Sequence, residues 1–293
     1  MIAKLDCRGS AEEMITTSIE RLKSLGILPT VAIEIMNMVD DESSSAAEIE
    51  VAIQSDPSLL AQVLRVVNSS FYGLPRQVAS VKQAVVLLGR NVIKSIAIAS
   101  TVNRLYRKGR TFEGLNPKDL WLHAIAVGCT AREIARQTGE ACPDEAFAAG
   151  MLHDVGVILE FQIFPREFEQ ILRTSRESQV ETYREAERAC IGTTHEELGA
   201  SLCRRWNFPE TIESTAAFHH RPWDAPEAVR TLPSIVHVAD AIVDQLGEVH
   251  SLTIEAGAPS SKVMEFLGVT AHQYDDIQEV VPAAIQEYAQ IVT

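Results

Sequence analysis

Apolar residues recur at three- and four-residue spacing along almost the whole of this 293-residue chain, and no alternating strand pattern competes with them. In "SDPSLLAQVLRVVNSS", Asp56 stands as an N-cap, Pro57 takes the first helical position, and Leu59, Leu60, Val63, Leu64 and Val67 form one face. "SVKQAVVLLGR" opens on a capping box from Ser80 to Gln83 and closes on Gly89. Between these two, "SSFYGLPRQ" reads as a loop. A helix from about Val92 to Tyr106 is apolar around most of its circumference and is expected to be central. After the loop-like "RKGRTFEGLNPK", helices are expected near 117–137, 144–161, 166–176, 180–190, 194–205, 209–220 and 231–246. Thr194 to Glu197 reads as another capping box, and "EAGAPSSKV" as a turn before one or two closing helices. The expected fold class is all-α, in two helical halves: 1–115, then 116–246, followed by an acidic helical extension over 247–293.

Composition narrows the function classes. A formal charge of −14 argues against nucleic acid as the main partner. No apolar run approaches a membrane span, and the N-terminus has no apolar signal-peptide core, so a cytoplasmic protein without a membrane partner is expected. The five cysteines, Cys7, Cys129, Cys142, Cys190 and Cys203, are odd in number and lack C-x-x-C spacing, which reads as reduced thiols.

The chemistry lies in the histidines. His123, His153, His195, His219 and His220 each fall in a helix or at a helix end, while His237, His250 and His272 follow outside that group. Asp154 adjoins His153 inside the apolar run "GMLHDVGVILEF", where an uncompensated carboxylate is costly to bury. Asp240 lies in the buried-looking "SIVHVADAIVDQL". Five imidazoles and two carboxylates without a thiolate suit Fe, Mn, Ni or Zn. Neighbouring ligands about 100° apart on a helix can serve one ion from two sides, or let the carboxylate bridge a pair of ions. Asp119, one turn before His123, is a further ligand or supporting candidate. Singly, each residue also fits a plain structural role: His123 as a satisfied core histidine, His195 as a first-turn surface residue, His219-His220 as a cation at a helix end, and Asp240 as a partner for a neighbouring helix.

The order H…HD…H…HH…D, filled by His123, His153-Asp154, His195, His219-His220 and Asp240, resembles the HD phosphohydrolase superfamily and most closely its HD-GYP branch. "LPTVAIEIMNMVDD", "DPSLLAQVLRVVNSSFYG" and "SVKQAVVLLGRNVIKSIAIAS" resemble the HDOD module, a bacterial signalling relative, over about residues 20–240. The resemblance implies a two-part helical HDOD fold with an HD-like second half. It also implies a role in bacterial signal output through protein partners, with a nucleotide or other phosphoester as a further ligand class. Those seven residues are then the expected metal set for one or two divalent transition-metal ions. The alternative reading is a metal-dependent phosphohydrolase or phosphodiesterase, with Asp154 the foremost candidate for a catalytic group. Two departures bear on that choice. The HD-GYP motif continues H-D-x-G-K, but Val157 stands at the lysine's position, and "HHRPWDAP" replaces the GYP segment.

Overall fold

The computed structural model describes residues 34–35, 38, 44–106, 111–112, 115–176, 182–206, 208–247 and 259–292. Cys7 and most of "LPTVAIEIMNMVDD" lie outside them. Among the described residues every extended element is helical, and the sole β-type pairing is an isolated bridge between Phe112 and Leu115. In chain order the helices are α1 (Ala46–Gln54), α2 (Pro57–Val67), α3 (Val81–Leu88), α4 (Arg90–Tyr106), α5 (Pro117–Thr138), α6 (Pro143–Leu152) and α7 (Val155–Ile163). They continue as α8 (Pro165–Arg176), α9 (Tyr183–Ile191), α10 (His195–Arg205), α11 (Glu210–Phe218), α12 (Thr231–Leu246), α13 (Ser261–Phe266) and α14 (Ala271–Val292).

Local chemistry sets the boundaries. Asp56 accepts from the Ser58 and Leu59 N–H groups and so caps α2. Gly89 ends α3 with φ 89°. Two expected capping boxes are only half present. Ser80 accepts from Gln83 N–H, but the Gln83 side chain reaches Ala79 N–H, not Ser80. Thr194 accepts from Glu197 N–H, while the Glu197 carboxylate is drawn to Thr193 and Arg188. Asp119 is corrected outright: its Oδ2 accepts from Asn116 N–H at 2.9 Å, closing the capping box of α5, so it serves the helix end and not a metal.

The expected helix over 144–161 is broken. α6 ends at Leu152, α7 begins at Val155, and Asp154 has left helical geometry with φ −98° and ψ 21°. This break turns the His153-Asp154 pair inward, off the axes of both helices.

One apolar core runs from Ile49 and Ile93 in the first helices through Trp121, Phe147 and Ile235 in the later ones. α5 is its axis, packed by α4, α6, α12 and α14. Tyr288 of α14 is fully buried, its ring 5.1 Å from Phe71 and 5.0 Å from Phe147, which ties the C-terminal helix to both halves. The stretch Pro143–Ile163, with a mean hydropathy of 1.3, is long and apolar enough to cross a membrane by length and composition alone. It is 94% buried inside the fold, so its apolarity is that of a core.

Two glycines allow the close approaches behind the site. A Cβ on Gly150 would lie 2.8 Å from the Gly128 backbone, so α5 and α6 touch main chain to main chain. A Cβ on Gly156 would overlap the His195 carbonyl and lie 2.7 Å from its carbon, so only glycine lets α7 meet the start of α10.

Candidate metal centre

Five segments deliver the seven predicted residues to one place. His123 comes from the middle of α5, His153-Asp154 from the α6–α7 break, and His195 from the first position of α10. His219-His220 follow the end of α11, and Asp240 comes from α12. All are buried except His220, which is half-buried at one edge.

Asp154 lies at the centre. Its Oδ1 is 3.5 Å from His195 Nε2 and 3.4 Å from His219 Nε2. Its Oδ2 is 3.4 Å from His153 Nε2 and 3.9 Å from His123 Nε2. Asp240 Oδ1 stands 3.2 Å from His123 Nε2 and 4.0 Å from His153 Nε2. The donors form two groups, each with all its atoms within 4.8 Å of one another: Asp154, His195, His219 and His220, and then His123, His153 and Asp240. One carboxylate oxygen of Asp154 faces the first group and the other faces the second.

The rings are aimed by what holds their other nitrogen. His153 Nδ1 meets the Gly150 carbonyl at 2.6 Å, and His219 Nδ1 meets the Thr215 carbonyl at 3.1 Å. His195 Nδ1 meets Glu187 Oε1 at 2.8 Å. A carbonyl or carboxylate can only accept, so these contacts place the ring proton on Nδ1 and leave Nε2 as a lone-pair donor facing inward. The inward atoms are then left over. His123, His153 and His219 Nε2 and Asp240 Oδ1 are buried and make no well-aligned hydrogen bond, only loose contacts of 3.2–4.0 Å to one another and to Asp154. Each orphaned buried polar atom costs about 1–3 kcal/mol, so several facing one space suit a cation. The donor set fits a divalent transition metal of the Fe, Mn, Ni or Zn kind.

The electrostatics agree. Burial alone would raise Asp154, yet His153, His219 and His195 hold it well below the ordinary carboxylate range. Burial would lower His153, but the Asp154 carboxylate, then Asp240, outweigh it and lift the imidazole to about 9. Asp240 is lowered against its burial by His123. Burial and the neighbouring His219 and His195 push His220 well below its usual value, so it is neutral and can donate a lone pair. The buried carboxylate at Asp154 therefore requires a positive charge beside it. Without metal, a proton on His153 is the charge available.

Several supporting groups were not foreseen. Glu187 Oε1 accepts from both the backbone N–H and the ring of His195, at 2.9 and 2.8 Å. Glu160 and Glu187 are both fully buried, and Tyr183 donates to Glu160 Oε2 at 3.1 Å. Burial raises Glu187 to about 8, and burial together with Glu187 raises Glu160 well above the usual range. Glu160 was detectable, as the lone charge in "VILEFQI". Glu187 was not, because "YREAERACI" reads as a charged outer face. His237, expected to stand outside the site, contacts the His219 carbonyl at 2.9 Å through its Nδ1 and so steadies that ligand's backbone. His272 is exposed and pairs with Asp276 at 2.9 Å, and His250 lies outside the described residues. The four described cysteines form no disulfide.

Known proteins place this geometry. The HDOD domain family matches residues 25–222. An HDOD domain protein of unknown function from Geobacter sulfurreducens superposes with a TM-score of 0.73 at 26% identity, over 96% of this chain and 97% of that one. A Shewanella amazonensis protein provisionally described as a phosphohydrolase shares the fold, with a TM-score of 0.72 at 22% identity over 94% and 98% of the two chains. An uncharacterized protein of Treponema pallidum is 26% identical over 229 residues, which is 76% of this chain but 43% of the relative. The chain thus spans less than half the length of that curated relative. With its two-part helical fold and its match over most of its length, the chain belongs to the HDOD domain family.

Proposed function

We propose that this chain is a bacterial regulatory module that holds a divalent transition metal at His123, His153, Asp154, His195, His219, His220 and Asp240, and that acts through protein partners without turning over cyclic dinucleotides. The observation that carries it is the contrast at the α6–α7 break. The full set of inward-facing nitrogen and oxygen donors is present, while Val157, where HD-GYP enzymes carry a lysine, is buried at 1% exposure in the apolar core. Phosphoryl transfer depends on positive charge preorganised around the phosphate, and Val157 supplies none. A divalent ion bound here supplies Lewis-acid polarisation of an oxygen ligand. The seven side chains of this protein would orient it.

One observation favours the second reading, a metal-dependent phosphohydrolase or phosphodiesterase. His220 is the one half-buried residue of the set, next to Arg221 in sequence, and Arg184 and Arg221 pair with the buried Glu196 at 3.5 and 3.4 Å. On this reading they would supply positive charge to a phosphoester, although Arg221 also pairs with Asp224 at 3.0 Å. The provisional description of the Shewanella relative points the same way.

The deciding experiment is elemental analysis of protein purified without chelator, followed by assay of the metal-loaded form on cyclic dinucleotides. One to two ions per chain with absent or very slow hydrolysis is expected. Turnover at or above roughly 1 s⁻¹, in the range of ordinary enzymes, would promote the second reading.

A further inference from the structure

The two donor groups are held very differently. On one side, Asp154 Oδ1 and three imidazoles converge, and His195 and His219 are both fixed at Nδ1. His195 is gripped twice by one oxygen of Glu187, at the ring and at the backbone N–H. Glu187 is itself walled in by Glu160, which Tyr183 holds from behind. On the other side stand two imidazoles and Asp240: His153 is fixed at Nδ1 by the Gly150 carbonyl at 2.6 Å, but no carboxylate backs either ring, and His123 Nδ1 is buried with no hydrogen-bond partner. A ligand ring with an unheld second nitrogen has neither its tautomer nor its rotation fixed, whereas a carboxylate behind an imidazole fixes both and raises ligand basicity. α9, which carries Tyr183 and Glu187, supplies no ligand of its own. Its buried Glu187 is spent on His195, and its Tyr183 on the Glu160 beside Glu187.

Taking the metal reading as given, we propose that the two halves of the centre are unequal: the His195–His219–His220 half takes the first divalent ion, and Glu187, backed by Glu160 and Tyr183, is the positioning residue that makes it so. The His123–His153–Asp240 half fills second and more weakly. A chain isolated with one ion per molecule carries it on the His195 side.

The test is a zinc titration of the full chain, followed through the ring nitrogens of ¹⁵N-histidine-labelled protein by NMR. The metal-free protein should show His195 as the Nδ1–H tautomer. The first equivalent of zinc should move the signals of His195 and His219 before those of His123 and His153. Chelator competition gives the affinities. Glu187→Ala should weaken the first step by about ten- to a hundredfold, the range for losing a carboxylate behind a ligating histidine. Glu187→Gln keeps an acceptor for both His195 N–H groups and should recover most of that loss. Asp240→Asn should weaken the second step and spare the first. The inference is overturned if the first equivalent moves His123 and His153 first, or if Glu187→Ala binds the first ion like the parent chain. If the alanine variant does not fold, the order of shifts in the parent chain still decides. A parent chain that takes up no zinc would bring down the metal reading as well, an outcome distinct from zinc bound in the opposite order.

Discussion

The first four helices and the helices from α5 onward are built on the same apolar period but bury different things. Between residues 46 and 106 the core includes Ile49, Ile53, Val63, Val81 and Ile93, and among the residues whose burial is described the buried polar ones are Ser95, Ser100 and Asn103, none of them ionisable. From α5 onward the core also encloses His123, His153, Asp154, Glu160, Glu187, His195, Glu196, His219 and Asp240. Apolar packing is non-directional and forgiving, so the first region needs only the right size and pattern. Buried ionisable groups need partners at fixed distances, so the second region depends on a few backbone approaches and on the charge placed at its centre. The stability of the two regions should accordingly respond to different perturbations.

The largest effect is expected at Gly156. A methyl group there overlaps the His195 carbonyl, a main-chain atom that cannot step aside as a side chain can. Gly156→Ala should cost at least the roughly 3 kcal/mol at the upper end of overpacking, and should remove metal binding with it. Circular dichroism melts and metal content measure both, and an alanine variant with parental stability would show that α7 and α10 do not meet in this way. Next, Ile53→Ala in the first region should cost about 2–5 kcal/mol, as for other buried isoleucines. The loss should be the same with metal present or stripped. A loss that depends on metal would break the division between the regions.

An effect of opposite sign in the two metal states is expected from pH. In the metal-free chain His153 is lifted from 6.5 to about 9 and Glu187 from 4.5 to about 8. Both hold a proton in the folded chain at pH values where the unfolded chain has released it. Stability therefore falls as pH rises, through Glu187 between about pH 4.5 and 8 and through His153 between about pH 6.5 and 9. For a chain of this size the melting temperature should drop by about 1.5–2 °C for each kcal/mol lost. Metal reverses the trend, because His153 must lose its proton to act as a ligand, so the stabilisation that metal brings should grow over the same window. Melting curves of chelated and loaded protein between pH 5 and 9 measure this. Parallel curves would show that His153 takes no part in binding.

The two regions also differed in how far they could be read from sequence. α2 to α4 follow from period, caps and glycine, because each signal is local, while α1 was not singled out. The seven site residues were legible because their residue types are rare in apolar runs and because their order resembles that of a known superfamily. The break at residues 153–154 was not legible. Gly150, Met151, Val155 and Val157 suit a helix core as well as they suit two helix ends, and only the meeting with α10 settles it. Asp119 was misjudged because helical spacing from His123 is a weaker constraint than the N-cap beside it. Glu187 and Tyr183 were missed because a helix that buries its charges against another site looks, in sequence, like one that shows them to water.

On the reading proposed above, a metal ion compensates Asp154 and ties five segments together. The most direct measurement is the melting temperature of the parent chain, of Asp154→Asn and of His272→Gln, each loaded with iron, manganese or nickel and then stripped with chelator. Metal at a hundredfold excess over its dissociation constant should stabilise the parent by about 2.7 kcal/mol, a gain that stripping removes. Asp154→Asn should lose most of that difference, and His272→Gln, exposed and remote from the site, should keep it. Equal melting temperatures for loaded and stripped parent chain, with Asp154→Asn and His272→Gln behaving alike, would show that a proton on His153, and not a metal, balances the buried carboxylate.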